Sequence, residues 1–312
     1  MIIRNLRIVF MGTPEFAVPS LEILSDAGYV VVGVITAPDK QGGRGMKQTL
    51  VSPVKRFAQS RGLNVLQPTN LKSASFLEEL KSLNADLQVV VAFRMLPEVV
   101  WSMPRLGTMN LHGSLLPAYR GAAPIQWAVI NGEKTTGLTT FKLQHEIDHG
   151  QIIRQREMPI LEDDDAQSLH DRMMFTGAGL VLGSVDLFQT GQVILSPQDD
   201  LKSSHAPKIH HEDAHIDWNK PATTIHNLIR GMSPYSGAWS VLDHLEWKIF
   251  KTAIYSQIEG RQPGTLSIEN KRLIAQAKGG ELEILEVQLT GKKKMSAKDF
   301  INGYKIKDWS MS

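Results

Sequence analysis

Short apolar runs alternate with amphipathic stretches through the first 190 residues. LRIVFM (6–11) reads as a buried strand, and GTPEFAVPSLEILSDAG after it as a turn and a helix, with Val18, Leu21 and Leu24 at helical spacing. VVVGVIT (30–36) predicts a second strand. In SPVKRFAQSRG, Ser52 is placed to cap a helix and Pro53 to occupy its first position. LNVLQP, an amphipathic stretch, LQVVVAF and GTMNL continue the alternation, and AQSLHDRMMFTGAGLVLGSVDLFQTG (166–191) predicts one long helix. Strands rich in Val and Ile, separated by helices, predict a Rossmann-like α/β domain whose mostly parallel sheet is covered on both faces.

The pattern then changes. QVILSPQDDLKSSHA is polar and reads as a linker over 191–206. From residue 207 to 312 short strand-like runs are separated by glycine or polar turns, as in a small OB-like β-barrel. The expected organisation is therefore a domain over 1–190, a linker over 191–206 and a barrel domain over 207–312.

Of the 312 residues, 42% are hydrophobic and 21% charged, an ordinary globular balance. The absence of cysteine excludes disulfides, thiolate metal sites and a cysteine nucleophile, and fits a reducing cytoplasm. No apolar run approaches a membrane span, and MIIRNLRIVFMG reads as a first strand rather than a signal peptide. GTPEFA carries one glycine where a dinucleotide fingerprint has three, which argues against a nicotinamide cofactor.

Ligands of such sheets bind outside the carboxyl ends of the strands. NLHGSLLPAYRG (110–121) begins at such an end, with polar Asn110 and His112 where a core strand would finish in apolar residues. Two apart, they share one face. GLTTFKLQHEIDHG places Asp148 in a polar loop between two strand-like segments. An imidazole can move a proton, an amide can donate to an oxyanion, and a carboxylate can fix the imidazole's tautomer and stabilise its charged form. That set suits acyl transfer to an amine supplied by the substrate. On spacing alone, however, Asn-x-His at a strand end and Asp-His-Gly are ordinary turn elements.

The two stretches NLHGSLLPAYRG and GLTTFKLQHEIDHG resemble the signature of the folate-dependent formyltransferases. VFMGTPEFAVPSLEIL, TAPDKQGGRGMK followed by SPVK, IDWNKPATTIHNLIRGMSPYSGAW and GKKKMSAKDFINGYKI further resemble the branch whose acceptor is methionine carried by initiator tRNA. The resemblance runs through nearly the whole chain. It implies the formyltransferase fold, 10-formyltetrahydrofolate as formyl donor, no metal, and catalytic roles for Asn110, His112 and Asp148. It also implies folate contacts from Ser114, Leu115, Leu116 and Pro117. Phe93-Arg94 departs from the Tyr-Gly of many members, with Arg94 expected to face solvent.

Basic residues bear on the tRNA partner. DKQGGRGMK carries Lys40, Arg44 and Lys47 among glycines that permit close approach, with Lys55, Arg56 and Arg61 following. Residues 261–312 hold 10 Lys and Arg against 6 Asp and Glu, with Lys292, Lys293 and Lys294 consecutive. The resemblance makes Lys40, Arg44, Lys47 and these three lysines the expected tRNA contacts. Other folate-dependent members formylate glycinamide ribonucleotide or amino-sugar nucleotides, but small acceptors give no reason for a basic barrel. An RNA-binding protein without activity would not need Asn110, His112 and Asp148 together. His205, His210, His211 and His215 are expected to be exposed linker histidines rather than metal ligands. A cytoplasmic monomer is the default expectation.

Overall fold

The computed structural model describes residues 4–42, 48–257, 260–304 and 309–311. The chain forms two compact units. One contains residues up to Gly121 with Gly137–Met158 and His170–His205; the other contains Ala122–Thr136, Pro159–Leu169 and the residues from Ala206 onward.

The first unit is built on a seven-stranded sheet. Its strands are β1 (Arg7–Gly12), β2 (Val30–Ile35), β3 (Val65–Leu66), β4 (Leu87–Val91), β5 (Thr108–His112), β6 (Thr135–Lys142) and β7 (Ile152–Pro159). Their order is β7-β6-β5-β4-β1-β2-β3. β1 pairs parallel with β2 and β4, β2 with β3, and β4 with β5, whereas β5 and β6 run antiparallel. β4 is buried at every position, as its unbroken LQVVV run implies for a strand covered on both faces. One layer of core joins Val9, Met11, Ile35, Val90 and Val100 to Phe76 and Leu80 of the helix Ala74–Ser82.

Besides a single turn at Glu98–Trp101, the α-helices among the described residues are α1 (Val18–Asp26), α2 (Pro53–Ser60), α3 (Ala74–Ser82), α4 (Pro124–Ile130), α5 (Ala166–Thr190), α6 (Ala222–Met232) and α7 (Ala297–Gly303). α2 starts as its sequence requires: the Ser52 hydroxyl accepts from the Lys55 amide at 3.1 Å, and Pro53 occupies the first turn. α5 lies so close to β5 that a side chain at Gly177 would come within 2.7 Å of Leu111 Cδ2.

The second unit holds a six-stranded antiparallel sheet. Its strands are β8 (Ala238–Leu242), β9 (Leu245–Ser256), β10 (Leu266–Glu269), β11 (Arg272–Ala277), β12 (Gly280–Leu289) and β13 (Met295–Ser296). The order is β8-β9-β12-β11-β10, with β13 on β12. Asp243-His244 and Asn270-Lys271 turn two hairpins with positive φ at both residues, the backbone that two-residue hairpin loops demand. Ser310 bridges to Thr265 and Met311 to Leu242, so one short segment links the two edges of the sheet. The expected succession of an α/β domain and a small antiparallel β domain is what the chain forms. The core gathers Trp247, Ile249, Leu282 and Ile284 beneath α6 and α7, with the Phe300 ring tilted against Trp247, centroids 5.3 Å apart.

Candidate active site

β5 is the last strand of the parallel set, and its carboxyl end carries Asn110 and His112. Opposite them on β6 stand Phe141 and Thr139. His112 is 6% exposed, its ring edge-on to Phe141 with centroids 6.5 Å apart. Asn110 is half-buried, and its amide has no hydrogen-bond partner among the described residues. A donor at a strand end is thereby left for an incoming group.

The two nitrogens of His112 have different surroundings. Nε2 lies 2.8 Å from the Tyr119 carbonyl. A carbonyl only accepts, so Nε2 carries a proton and donates it there. Nδ1 faces Asp148 Oδ2 at 3.8 Å, too long for a hydrogen bond but within ion-pair range once the ring is charged. In the neutral ring Nδ1 is the one basic nitrogen. The structure thus divides the task expected of the carboxylate. Tyr119 sets the tautomer, and Asp148 offers charge compensation.

Asp148 sits in left-handed backbone at φ 57°, and its Oδ2 accepts from the Gly121 amide at 2.9 Å. Tyr119, also left-handed at φ 59°, turns its carbonyl towards His112. The loop between them is self-supporting. Ser114 Oγ donates to the Ala118 carbonyl at 2.5 Å. Thr139 Oγ1 donates to the Ser114 carbonyl and accepts from the Leu116 amide, and Gln155 donates to the Leu116 carbonyl. Ser114 and Leu116 are buried, whereas Leu115 and Pro117 are half-buried.

A formyl transferase model matches residues 6–183, and a formyl transferase C-terminal domain model matches residues 208–305. The chain belongs to the formyl transferase family. A methionyl-tRNA formyltransferase of Parabacteroides distasonis is 52% identical over 313 residues, 96% of either chain. One from Bacteroides fragilis is 47% identical over 312 residues, covering 97% of this chain and 96% of the relative. An N-formyltransferase of Helicobacter canadensis, solved with folinic acid and dTDP-3-aminofucose, shares the fold: TM-score 0.70, 21% identity, 89% of this chain and 98% of that one.

The family's other expected contacts fall in varied settings. Lys40 is exposed at the start of a hairpin whose strands, Lys40–Gly42 and Gln48–Leu50, flank residues 43–47; Arg44 and Lys47 lie outside the described residues. The neighbouring cations are engaged locally. Lys55 pairs with Asp39 at 2.6 Å, Arg61 with Asp26 at 2.7 Å, and Arg56 donates to the Val51 carbonyl. Lys292 and Lys293 are exposed, while Lys294 is paired with Glu286 at 2.6 Å and lies over Phe250.

Arg94 is exposed but anchored rather than simply projecting into solvent. It donates to the Pro68 and Thr69 carbonyls and lines a cleft of about 720 Å³ with Leu71, Lys72, Met95 and Val99. The histidines of the histidine-rich stretch are exposed too, with His210, His211 and His215 in the second unit. His211 stacks on Trp239 at 4.8 Å and faces Glu246 at 3.1 Å, and the His215 ring lies tilted against Trp239 with centroids 4.4 Å apart. Among the described residues no group of three or more His, Asp or Glu is gathered to hold a metal ion. No helix among them is long and apolar enough to cross a membrane.

Sequence reasoning missed Tyr119, Thr139, Gln155 and Gln198. Tyr119 was in plain view within NLHGSLLPAYRG, but it acts through its carbonyl, which leaves no signature in residue type. Gln198 lies in the stretch read as linker.

Proposed function

We propose that this chain transfers a formyl group from 10-formyltetrahydrofolate to the α-amine of methionine esterified to initiator tRNA. The observation that carries the chemistry is His112, tied through Nε2 to Tyr119 and presenting a basic Nδ1 beside Asp148. The acceptor is supported by the methionyl-tRNA formyltransferases that match this chain along almost all their length.

His112 accepts the amine proton at Nδ1 as the amine nitrogen bonds to the formyl carbon. An α-amine has a reference pKa of about 7.7–8.0, so supplying the neutral nucleophile near pH 7 costs only about 1 kcal/mol. Positioning and charge stabilisation therefore dominate. Asn110 donates from its unpartnered amide to the carbonyl oxygen as that oxygen becomes negative, an interaction whose removal typically lowers rates by roughly 100- to 1,000-fold. Asp148 stabilises the imidazolium. His112 then returns the proton to the departing folate nitrogen as its bond to the formyl carbon breaks, leaving tetrahydrofolate and the formylated amine. The substrate's own amine is the nucleophile, so no covalent enzyme intermediate is needed.

In this reading Leu115 and Pro117 touch the donor, while Ser114 and Leu116 hold the loop's shape. Lys40, Arg44 and Lys47 approach the tRNA acceptor end, and Lys292, Lys293 and Lys294 meet phosphates, with Lys294 attenuated by Glu286. The test is acceptor choice at fixed donor. Purified protein is given 10-formyltetrahydrofolate with methionyl initiator tRNA, glycinamide ribonucleotide or an amino-sugar nucleotide. Turnover with the tRNA supports the assignment; turnover of a small acceptor alone overturns it.

A further inference from the structure

We propose that Gln198 is a positioning residue for catalysis: its amide clamps the loop that carries Asp148. Gln198 Nε2 donates to the Asp148 carbonyl at 2.8 Å and to the Gly150 carbonyl at 2.7 Å. Its Oε1 accepts from Arg120 Nε at 3.0 Å and Nη2 at 2.7 Å. Guanidinium groups only donate and carbonyls only accept, so the amide can sit in one orientation alone. Glutamate has the size and the acceptor but cannot donate to either carbonyl. The site therefore requires glutamine for a chemical reason.

The clamp completes a ring that returns to His112. Arg120, 5% exposed, is held at Nη2 by Asp200 Oδ1 at 2.7 Å as well as by Gln198. Tyr119, before it, accepts from His112; Gly121, after it, donates to the Asp148 carboxylate. The stretch containing Gln198 also holds this segment from the outside. Arg120 N donates to the Ser204 carbonyl, and Tyr119 N to the Ser204 hydroxyl, both at 2.9 Å. Residues 198–204 thus support both groups that face His112.

The loop needs this restraint. Asp148 sits in a left-handed conformation disfavoured for residues with a Cβ. Two residues on, a side chain at Gly150 would come within 1.7 Å of the Lys142 carbonyl oxygen. Two hydrogen bonds to one side chain fix the carbonyls at 148 and 150 together. Without them the loop can relax, and the 3.8 Å between Asp148 and His112 Nδ1 is no longer set.

The proposal rests on the formyl-transfer reading, and the test separates the two. Formylation of methionyl initiator tRNA is measured for the wild type, Gln198→Glu, Gln198→Leu, Asp148→Asn and each Gln198 variant combined with Asp148→Asn. An inactive wild type removes the reading itself. With an active wild type, Gln198→Glu and Gln198→Leu should lower kcat about 10- to 100-fold, the scale of a small misplacement, with KM for tRNA and donor changed less than about twofold. In the Asp148→Asn background the same changes should cost less than about threefold, because the group they position has lost its charge. Losses that multiply in full, or losses confined to KM, would overturn the proposal. Thermal unfolding accompanies each variant, and if the Glu variant does not fold, the Leu variant carries the comparison.

Discussion

His112 and Asp148 stand 3.8 Å apart, Nδ1 to Oδ2, while the other imidazole nitrogen is committed to the Tyr119 carbonyl at 2.8 Å. The arrangement leaves one basic nitrogen, and that nitrogen is beside the carboxylate. In the proposed mechanism, proton acceptance and charge compensation therefore fall on the same side of the ring.

The loop geometry behind that pairing has no slack at Gly150. Gly150→Ala would drive a methyl group against the Lys142 backbone oxygen, a contact no rotamer change relieves. Formyl-transfer kcat should fall at least about 10-fold. Steady-state kinetics beside a melting curve checks this; wild-type kcat would show that the loop tolerates displacement.

The second unit should lose stability in mild acid through His226. Burial, with a smaller contribution from Arg230, pushes its pKa below the ordinary 6.5, and its Nδ1 is bonded to Thr252 Oγ1 at 2.9 Å. Below about pH 6.5 the unfolded chain takes up a proton that the folded chain does not, so stability falls as pH drops from there towards the folded-state value. Between pH 8 and 5.5 the unfolding midpoint of His226→Gln should fall less than that of the wild type. Parallel curves would place the acid sensitivity elsewhere.

Lys292, Lys293 and Lys294 are all exposed, but Lys294 is already paired with Glu286. Replacing the first two by glutamine should weaken tRNA binding and reduce the slope of log K against log salt by about 1 for each lysine that meets a phosphate. Lys294→Gln should change the slope less. Binding titrations at several salt concentrations give the answer; an unchanged slope in the double variant would mean both lysines face solvent.

Periodicity and capping chemistry are local, which is why the strands, the start of α2 at Ser52-Pro53 and the shared strand of Asn110 and His112 were legible in the sequence. Tyr119 and Gln198 were not. Their contributions depend on backbone carbonyls aimed by left-handed residues and on hydrogen bonds across 50 or more positions, such as Gln198 to Asp148. Polar composition made 191–206 resemble a solvated connection. The same residues instead spend their polar groups inside the first unit: Ser196 pairs with Ile152, and Gln198 and Ser204 hold the site loops. Composition cannot distinguish a polar group bonded to water from one bonded to protein. For a related reason, composition gave no sign that Lys55 and Arg61 pair with Asp39 and Asp26.

The most direct test is single-turnover formylation of methionyl initiator tRNA by the wild type, His112→Ala and Asn110→Ala, with tRNA affinity measured on the same preparations. Rates should fall by about 100- to 10,000-fold for His112→Ala and about 100- to 1,000-fold for Asn110→Ala, with tRNA affinity within about threefold of wild type. Near-wild-type rates in either variant, or affinity losses equal to the rate losses, would contradict the roles assigned to the two residues.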